Sequence, residues 1–216
     1  MQMINADDFV DMAKTAEECG YAVEVMYADA AHPFNIFEQA IYAPETPLLL
    51  HKSFAPIVQN AAKLCRDRSD YKMVLHDGLR PSDAQLAISE TDLVRANPDW
   101  LVDQPGRGRL FSPPGRGAHP RGMAIDISLR DRQGNIVDCG TKVDEMSPLS
   151  ARNAEGLSEI ARANRAFLDA CMLDAAQGLG LPLVPLPAEW WDYRFPADVY
   201  NQYAPIPSHP AIILAA

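Results

Sequence analysis

The sequence lacks a long apolar run, an excess of basic residues and any closely spaced pair of cysteines. No stretch approaches the ~18 consecutive apolar residues that a transmembrane helix requires. The 29 acidic residues outnumber the 19 basic ones, a formal charge of -10. This argues against a nucleic-acid backbone or an anionic membrane as partner, because both attract clustered lysine and arginine. The four cysteines form no C-x-x-C pair and the first residues carry no leader pattern, so we expect reduced thiols and a cytoplasmic protein.

The pattern of apolar residues indicates a folded chain of mixed structure. At 216 residues the chain can bury one sizeable core, so one domain over residues 1–216 is the expectation, and 48% hydrophobic residues is ordinary for a globular protein. Residues 71–76 and 123–129 have the composition of strands, and residues 153–177 carry the clearest helical period. Further expectations are helices over 6–19 and 48–66, a strand over 21–27, a helix opened by a capping box at Ser82 and Gln85, and loops over 28–47 and 98–121. This order predicts an α+β fold, a mostly antiparallel sheet with helices packed on one face.

A histidine and an aspartate, His119 and Asp126, stand seven residues apart. Beyond residue 122 apolar side chains alternate with small or polar ones, so Asp126 projects to the face opposite the apolar layer. Imidazole nitrogen and carboxylate oxygen both bind zinc, and catalytic sites use three protein ligands and a water. Both residues are therefore candidate metal ligands, with His76 as a reserve. None of the other four histidines has ligand-like spacing, and only His76 among them is kept in reserve; the four are His32, His51, His76 and His209.

A second cluster, Glu189-Trp190-Trp191-Asp192, places two carboxylates three residues apart beside a pair of tryptophans. The tryptophans indicate a partly buried segment. Residues at i and i+3 share a face only in a turn or helix, so we expect irregular backbone here. Asp192 is a candidate third metal ligand. Glu189 then remains free to act as a general base, because a carboxylate within hydrogen-bond reach can take a proton from water.

The predicted strand 71–76 is followed by a turn, Asp77–Pro81, that contains Arg80. Loops that follow buried strands often carry active-site groups, which favours a functional role for Arg80. The alternative is a structural ion pair with Asp77 or Asp83.

In their order along the chain, these motifs resemble those of the zinc-dependent D-alanyl-D-alanine dipeptidases of the VanX type, in peptidase family M15. The resemblance extends from about Tyr27 to Phe195. The segments that carry it are Tyr42-Ala43, Leu49-Leu50-His51-Lys52, Asp77-x-x-Arg80-Pro81, His119-x6-Asp126, Gly140-Thr141-x-x-Asp144 and Glu189-Trp190-Trp191.

The resemblance implies a role for each matched residue and a cofactor. His119 and Asp126 correspond to the first two zinc ligands, and Glu189 to the catalytic general base. Arg80 corresponds to the arginine that stabilises the tetrahedral intermediate. The implied cofactor is one Zn²⁺ per chain, with another divalent ion as the alternative.

Substrate contacts are implied in the same way. Asp144 corresponds to the acidic residue that binds the ammonium group of the dipeptide, and it is preferred over the adjacent Glu145 on the resemblance alone. Tyr27 and Tyr42 lie in the resembling N-terminal part, and Tyr27 is expected to contact the substrate. Packing is the alternative role for both tyrosines.

Two positions depart from the family pattern. The third ligand of the family is a histidine three residues after the base, where this chain has Asp192. The family also favours serine two residues before the first ligand, where this chain has Gly117. One histidine and two carboxylates leave a divalent ion formally neutral, which is expected to weaken its pull on water and to favour oxygen-preferring metals. The loss of the serine hydroxyl is expected to affect substrate preference.

The expected activity is metal-dependent hydrolysis of D-Ala-D-Ala or a related D-amino-acid dipeptide, with metal-activated water as nucleophile and Glu189 as general base. The partner is thus a small-molecule dipeptide, while the sequence does not specify an oligomeric state. Two alternatives remain. Asp192 and Gly117 motivate a catalytically weakened homologue that binds peptidoglycan-type peptides, and the same fold also suits a D,D-carboxypeptidase.

Overall fold

The computed structural model describes residues 1–103 and 109–215 and confirms the α+β prediction. The strands are β1 (Phe9–Asp11), β2 (Ala22–Val23), β3 (Leu49–His51), β4 (Lys72–Asp77), β5 (Ala124–Arg130), β6 (Val184–Pro185) and β7 (Asp192–Arg194). The α-helices are α1 (Ala16–Cys19), α2 (Ala55–Arg68), α3 (Ser82–Ser89), α4 (Asp92–Ala96), α5 (Glu159–Gly178) and α6 (Ala197–Tyr200). None of these described helices has both the length and the apolar character needed to cross a bilayer.

The main sheet has the strand order β2-β4-β5-β7-β6. β2 runs parallel to β4, and the other three pairings are antiparallel, as predicted. The ladder between β4 and β5 shifts register after Leu75, because β4 has one residue more than its partner there. Asp77 therefore stands opposite Asp126, which in turn faces Asp192 on β7. Three aspartates thus lie side by side on adjacent strands.

Both faces of the central strands β4 and β5 are buried. Helices α2 and α5 pack against each other, and α2 contacts β4. The fully buried apolar side chains of the sheet, each worth about 1.5–3 kcal/mol of burial, include Met73, Leu75, Ile125, Ile127 and Leu129. The polar face is covered by the segment 26–47, where the ring of Phe34 contacts that of His76 edge-on at 5.0 Å. Tyr42 on the same segment donates to Oδ1 of Asp77 at 3.3 Å, so this cover also reaches the aspartates.

Two helix predictions near the N-terminus were wrong. Residues 6–19 form two 3-10 turns, β1 and the short α1 instead of one helix, because residues of β1 pair with β3. Residues 48–66 include β3, and α2 begins only at Ala55, with Pro56 in its first turn. A short apolar run such as Leu48–Leu50 has no period that separates strand from helix. The strand predicted over 21–27 is reduced to β2 and a 3-10 turn.

The predicted capping box of α3 was also wrong. The hydroxyl of Ser82 donates to the carbonyl of Ile206 at 3.2 Å, and the amide of Gln85 bonds to the backbone of Gly115 and Arg116. Both side chains therefore form hydrogen bonds with distant residues and none that caps the helix. The predicted loop over 98–121 includes 104–108, which lie outside the described residues.

Candidate functional site

Three buried aspartates, Asp77, Asp126 and Asp192, form a row across β4, β5 and β7, and we call them the carboxylate row. None is more than 2% exposed. Like charges on directly opposed residues destabilise a sheet, so the row requires positive charge close by. The basic side chains in contact with it are Arg80, His119 and Arg194.

His119 begins a 3-10 turn, His119–Arg121, that leads into β5. Gly122 ends this turn at φ +63, and a Cβ there would lie 2.7 Å from a ring carbon of Phe9, so the junction requires glycine. Nδ1 of His119 lies 2.8 Å from the carbonyl oxygen of Gly78. Because a carbonyl only accepts, Nδ1 carries a proton, and Nε2 is the ring atom that can bind a metal.

Nε2 of His119 faces two carboxylate oxygens, Oδ2 of Asp192 at 3.2 Å and Oδ1 of Asp126 at 3.6 Å. That Oδ1 atom is buried and has no hydrogen-bond partner among the described residues. Such converging acceptors repel unless a proton or a cation lies between them. Burial opposes a charge on His119, but the carboxylates, Asp126 first, hold its pKa well above the usual value. The same negative potential and donor set fit a divalent metal.

Asp77, His119 and Asp126 also form a buried group whose composition could hold a metal. Oδ2 of Asp77 lies 3.3 Å from Nδ1 of His119, the nitrogen that already bonds to Gly78. The same oxygen accepts a hydrogen bond from Nε of Arg80 at 2.8 Å. Asp77 therefore faces the opposite ring nitrogen from Asp126, and it is placed to orient His119 and Arg80.

Arg80 bridges two members of the carboxylate row. Its Nη2 lies 2.8 Å from Asp77 and 3.3 Å from Asp126, and its guanidinium lies 5.3 Å from the ring centre of Tyr27. The ion pair with Asp77 is therefore present, whereas Asp83 accepts a hydrogen bond from the adjacent backbone instead. Arg80 also lines the pocket described below, so the structural and functional roles are compatible.

Arg194 is a site residue that sequence reasoning missed. Its Nε donates to Oδ1 of Asp192 at 2.7 Å, and its Nη2 donates to Oδ2. Burial opposes the charge on Asp192, but Arg194 and then His119 hold the pKa of this carboxyl well below its usual value. A signal was available, because residues i and i+2 of a strand share a face. Once β7 is known, Arg194 must follow Asp192 into the site.

Asp144 lies at the far side of Arg80 with Tyr27. The fully buried Tyr27 donates its hydroxyl proton to Oδ2 of Asp144. Burial, and then the charge of Asp126, raises the pKa of Asp144 to about 7. Asp144 adopts a left-handed backbone at φ +59, which is uncommon for non-glycine residues. The rival Glu145 instead accepts the backbone N–H of Lys142, and only Asp144 of the two lines the pocket.

Glu189 and Asp192 are joined by a turn, in which the N–H of Asp192 donates to the carbonyl of Glu189 at 3.3 Å. This is the irregular backbone that the spacing predicted. Trp190 and Trp191 are buried, and Nε1 of Trp190 donates to Oγ1 of Thr141 at 2.8 Å. Burial, and then the charge of Asp192, raises the pKa of Glu189 to about 8. A carboxyl group with a pKa near neutrality is suited to accept and return a proton.

A cavity of about 260 Å³ opens onto these groups. The candidate residues on its wall are Arg80, His119, Asp144, Glu189, Asp192 and Arg194. Gly117 also lines it, at φ +83, where a serine side chain would be strained. The hydroxyl of Ser112 lies 3.6 Å from the position that a Cβ at residue 117 would take. A hydroxyl group is therefore still present on this wall.

A second group of ligand-type residues, Glu24, His32 and His76, lies beside the carboxylate row; with Arg130 we call it the Glu24 cluster. The ring nitrogens of His76 contact the backbone oxygen of Glu24 at 3.2 Å and the hydroxyl of Ser128 at 2.7 Å. Nε2 of His32 lies 3.4 Å from Oε2 of Glu24. Hydrogen bonds thus occupy both nitrogens of the reserve ligand His76. The histidines outside both groups are His51 and His209.

Comparison with known proteins points to one family. A profile of the family described as D-ala-D-ala dipeptidase, Peptidase_M15, matches residues 5–211, a range that includes every candidate site residue. The chain is 29% identical over 194 residues to the D-alanyl-D-alanine dipeptidase of Escherichia coli (strain K12), a match that covers 90% of this chain and 88% of the relative. Among solved structures, it is similar to the L-Ala D-Glu endopeptidase ChiX of Serratia marcescens, with a TM-score of 0.40 and 13% identity, over 74% of this chain and 85% of that chain.

Proposed function

Because the chain belongs to the D-ala-D-ala dipeptidase family of M15 peptidases, we propose that it hydrolyses D-Ala-D-Ala or a closely related D-amino-acid dipeptide. One observation carries this proposal. Nε2 of His119 converges with one oxygen each of Asp126 and Asp192, beside a cavity that Glu189 and Arg80 also line. The E. coli relative is named for the same activity.

His119, Asp126 and Asp192 are the ligands in this proposal. When bound, a divalent ion such as Zn²⁺ supplies Lewis acidity, which acidifies a water molecule and polarises the scissile carbonyl. A set of one imidazole and two carboxylates also suits oxygen-preferring ions such as Mn²⁺.

Glu189 and Arg80 carry the chemistry of the chain itself. Glu189 accepts a proton from the attacking water and returns it to the leaving amine. Arg80 stabilises the negative charge that develops on the carbonyl oxygen, a contribution on the order of 3–4 kcal/mol by analogy with other oxyanion donors. The hydrogen bond from Nε of Arg80 to Asp77, at 2.8 Å, holds the guanidinium in its orientation.

Asp144 binds the ammonium group of the substrate by charge complementarity. Tyr27 supports this contact, because its hydroxyl donates to Oδ2 of Asp144. The cavity of about 260 Å³ is smaller than the roughly 300–1,000 Å³ of most ligand pockets. Small size and a buried carboxylate both favour a dipeptide with a free amino group over the longer substrate of a D,D-carboxypeptidase.

The test is release of D-alanine from D-Ala-D-Ala by the purified protein with Zn²⁺ or Mn²⁺ added. We expect turnover of this dipeptide and little of L-Ala-L-Ala. Glu189→Gln is expected to lower kcat by about 100-fold or more without changing the metal content. The absence of D-alanine release with every divalent metal tried would overturn the proposal.

A second candidate function is peptide binding without cleavage. The observation that favours it is the pairing of both Asp192 oxygens with Arg194, which reduces the negative charge that this carboxylate offers to a metal. Equilibrium dialysis separates the two functions. Less than one metal per chain together with measurable D-Ala-D-Ala binding would favour the binder, and one metal per chain with turnover would favour the enzyme.

A further inference from the structure

We propose that Arg194 is a positioning residue that compensates the negative charge of Asp192. A metal bound in this site then meets the same net charge as it would if residue 192 were a neutral histidine. The inference rests on the proposed function, since it concerns the metal ligands of that site. It goes further by assigning a role to a side chain that no motif of the sequence predicts.

The geometry of the pair leaves Asp192 able to bind both Arg194 and a metal. Nε and Nη2 of Arg194 bind Oδ1 and Oδ2 of Asp192 in a two-pronged arrangement. Such a pair uses one edge of the carboxylate. On another side, Oδ2 also lies 3.2 Å from Nε2 of His119. Asp192 itself is fully buried, so solvent does little to screen its charge or that of its partner.

Arg194 changes the net charge around a bound metal. A neutral His119 with ionised Asp126 and Asp192 gives a ligand set of charge -2, and the guanidinium of Arg194 brings the sum to -1. Two neutral imidazoles and one carboxylate also sum to -1. The three ligands alone formally neutralise a divalent ion, as the sequence predicts, but Arg194 adds one positive charge to their surroundings. The ion keeps a net positive charge with which to polarise a carbonyl.

A different result is expected if the ion pair between Arg194 and Asp192 is only structural. If Arg194 only stabilises β7, restoring histidine at 192 should give the usual ligands of the family and tighter metal binding. If Arg194 compensates charge, Asp192→His alone leaves an unpartnered guanidinium beside the bound cation. Metal binding then weakens, and it recovers only when Arg194 is neutralised as well.

The experiment is a double-mutant cycle on zinc affinity, measured at one pH by competition with a chromophoric chelator. Arg194→Met should bind zinc about tenfold more tightly or better, because it raises the negative charge of the ligand set. Asp192→His should bind about tenfold more weakly or worse. The double variant should return to within about threefold of the parent protein. Co²⁺ absorption spectra should change with Asp192→His, since that substitution exchanges an oxygen ligand for a nitrogen.

Two further variants separate charge from folding. Arg194→Lys keeps the charge and loses the two-pronged geometry, so its zinc affinity should remain near that of the parent. Arg130→Met is a matched control, because Arg130 makes a similar two-pronged pair with Glu24, at 3.1 and 2.8 Å, on the same strand as Asp126. It should lower the melting temperature and leave zinc affinity unchanged.

Equal zinc affinity in Arg194→Met and the parent, or tighter binding by Asp192→His, would overturn the charge role of Arg194. If the parent binds zinc and releases D-alanine while the cycle fails, only this inference falls. If the parent binds no divalent metal, both this inference and the proposed function fail.

Discussion

The carboxylate row and the Glu24 cluster lie side by side along β4 and β5, and the row, with His119 and Arg80 in contact with it, resembles the cluster in combining carboxylates with histidine and arginine. By composition and spacing, each could hold a metal. Their hydrogen bonds differ. In the Glu24 cluster, Arg130 binds both oxygens of Glu24, and both nitrogens of His76 have partners.

The carboxylate row, in contrast, contains acceptors that lack donors. Oδ1 of Asp126 has no partner among the described residues, and Nε2 of His119 faces oxygen atoms of Asp126 and Asp192. A buried acceptor without a donor costs roughly 1–3 kcal/mol. Under the proposed function a cation would satisfy these atoms, whereas the hydrogen bonds of the Glu24 cluster already satisfy His76 and Glu24. Both groups bring ligand-type residues close together, so proximity alone does not distinguish a metal site from a hydrogen-bonded cluster. The hydrogen-bond partners of each polar atom do distinguish them.

The largest expected difference concerns metal content. His119→Gln should lose bound zinc and all measurable turnover, because it removes the only nitrogen ligand of the proposed set. His32→Gln, the matched change in the Glu24 cluster, should retain one zinc per chain. Elemental analysis after dialysis measures both. Zinc loss from His32→Gln alone would reverse the comparison.

A second contrast concerns the arginine of each group, since Arg80 bridges Asp77 and Asp126 whereas Arg130 pairs with Glu24. Arg80→Lys should lower kcat by roughly 100-fold, because lysine cannot reproduce the planar fork that contacts Asp77 and Asp126 and faces the oxyanion. Arg130→Lys should leave kcat unchanged. Steady-state kinetics on D-Ala-D-Ala decide the matter, and equal losses in the two variants would contradict the contrast.

Acid stability should depend on the Glu24 cluster. Burial, and then the neighbouring His32, lowers the pKa of His76 from 6.5 to about 3. The unfolded chain therefore takes up this proton first, and stability is lost as pH falls from about 6.5 towards 3, by on the order of 4 kcal/mol. Urea unfolding of His76→Gln across this range should give a flatter pH dependence. If the unfolding free energy of His76→Gln falls with pH as steeply as that of the parent, His76 is not the cause of the acid sensitivity.

The smallest expected effect is that of Glu24→Gln. It weakens the partly exposed ion pair between Glu24 and Arg130. Exposed ion pairs contribute about 1 kcal/mol or less to the free energy of unfolding, so the melting temperature should fall by a few degrees. Zinc affinity should not change. A loss of metal affinity would mean that the two clusters are energetically coupled.

The sequence allowed prediction of those parts of the site that depend on local pattern. His119, Asp126 and Glu189 belong to motifs with fixed spacing, and alternation along β5 was enough to assign Asp126 to the polar face. The place of Asp77 in the row depends on the register shift after Leu75, which is set by pairing between distant strands. The spacing of residues along the sequence does not predict such a register shift.

Arg194 was missed for a related reason. Its orientation follows from β7, a strand of three residues that forms only because β5 and β6 flank it. Wrong helix predictions over 6–19 and 48–66 have the same origin, since β1 and β3 are held by each other. In this fold, short strands are determined by their partners more than by their own residues.

The turn that joins Glu189 to Asp192 also has an optical consequence. It carries Trp190 and Trp191, whose rings meet edge to face with centroids 5.6 Å apart, and these are two of the three tryptophans in the chain. Both indoles are buried between Glu189 and Asp192, and under the proposed function metal binding would change the charge around these two carboxyl groups. Ultraviolet emission of the unlabelled protein should therefore shift in intensity or wavelength on titration, which gives occupancy in real time without a reporter dye.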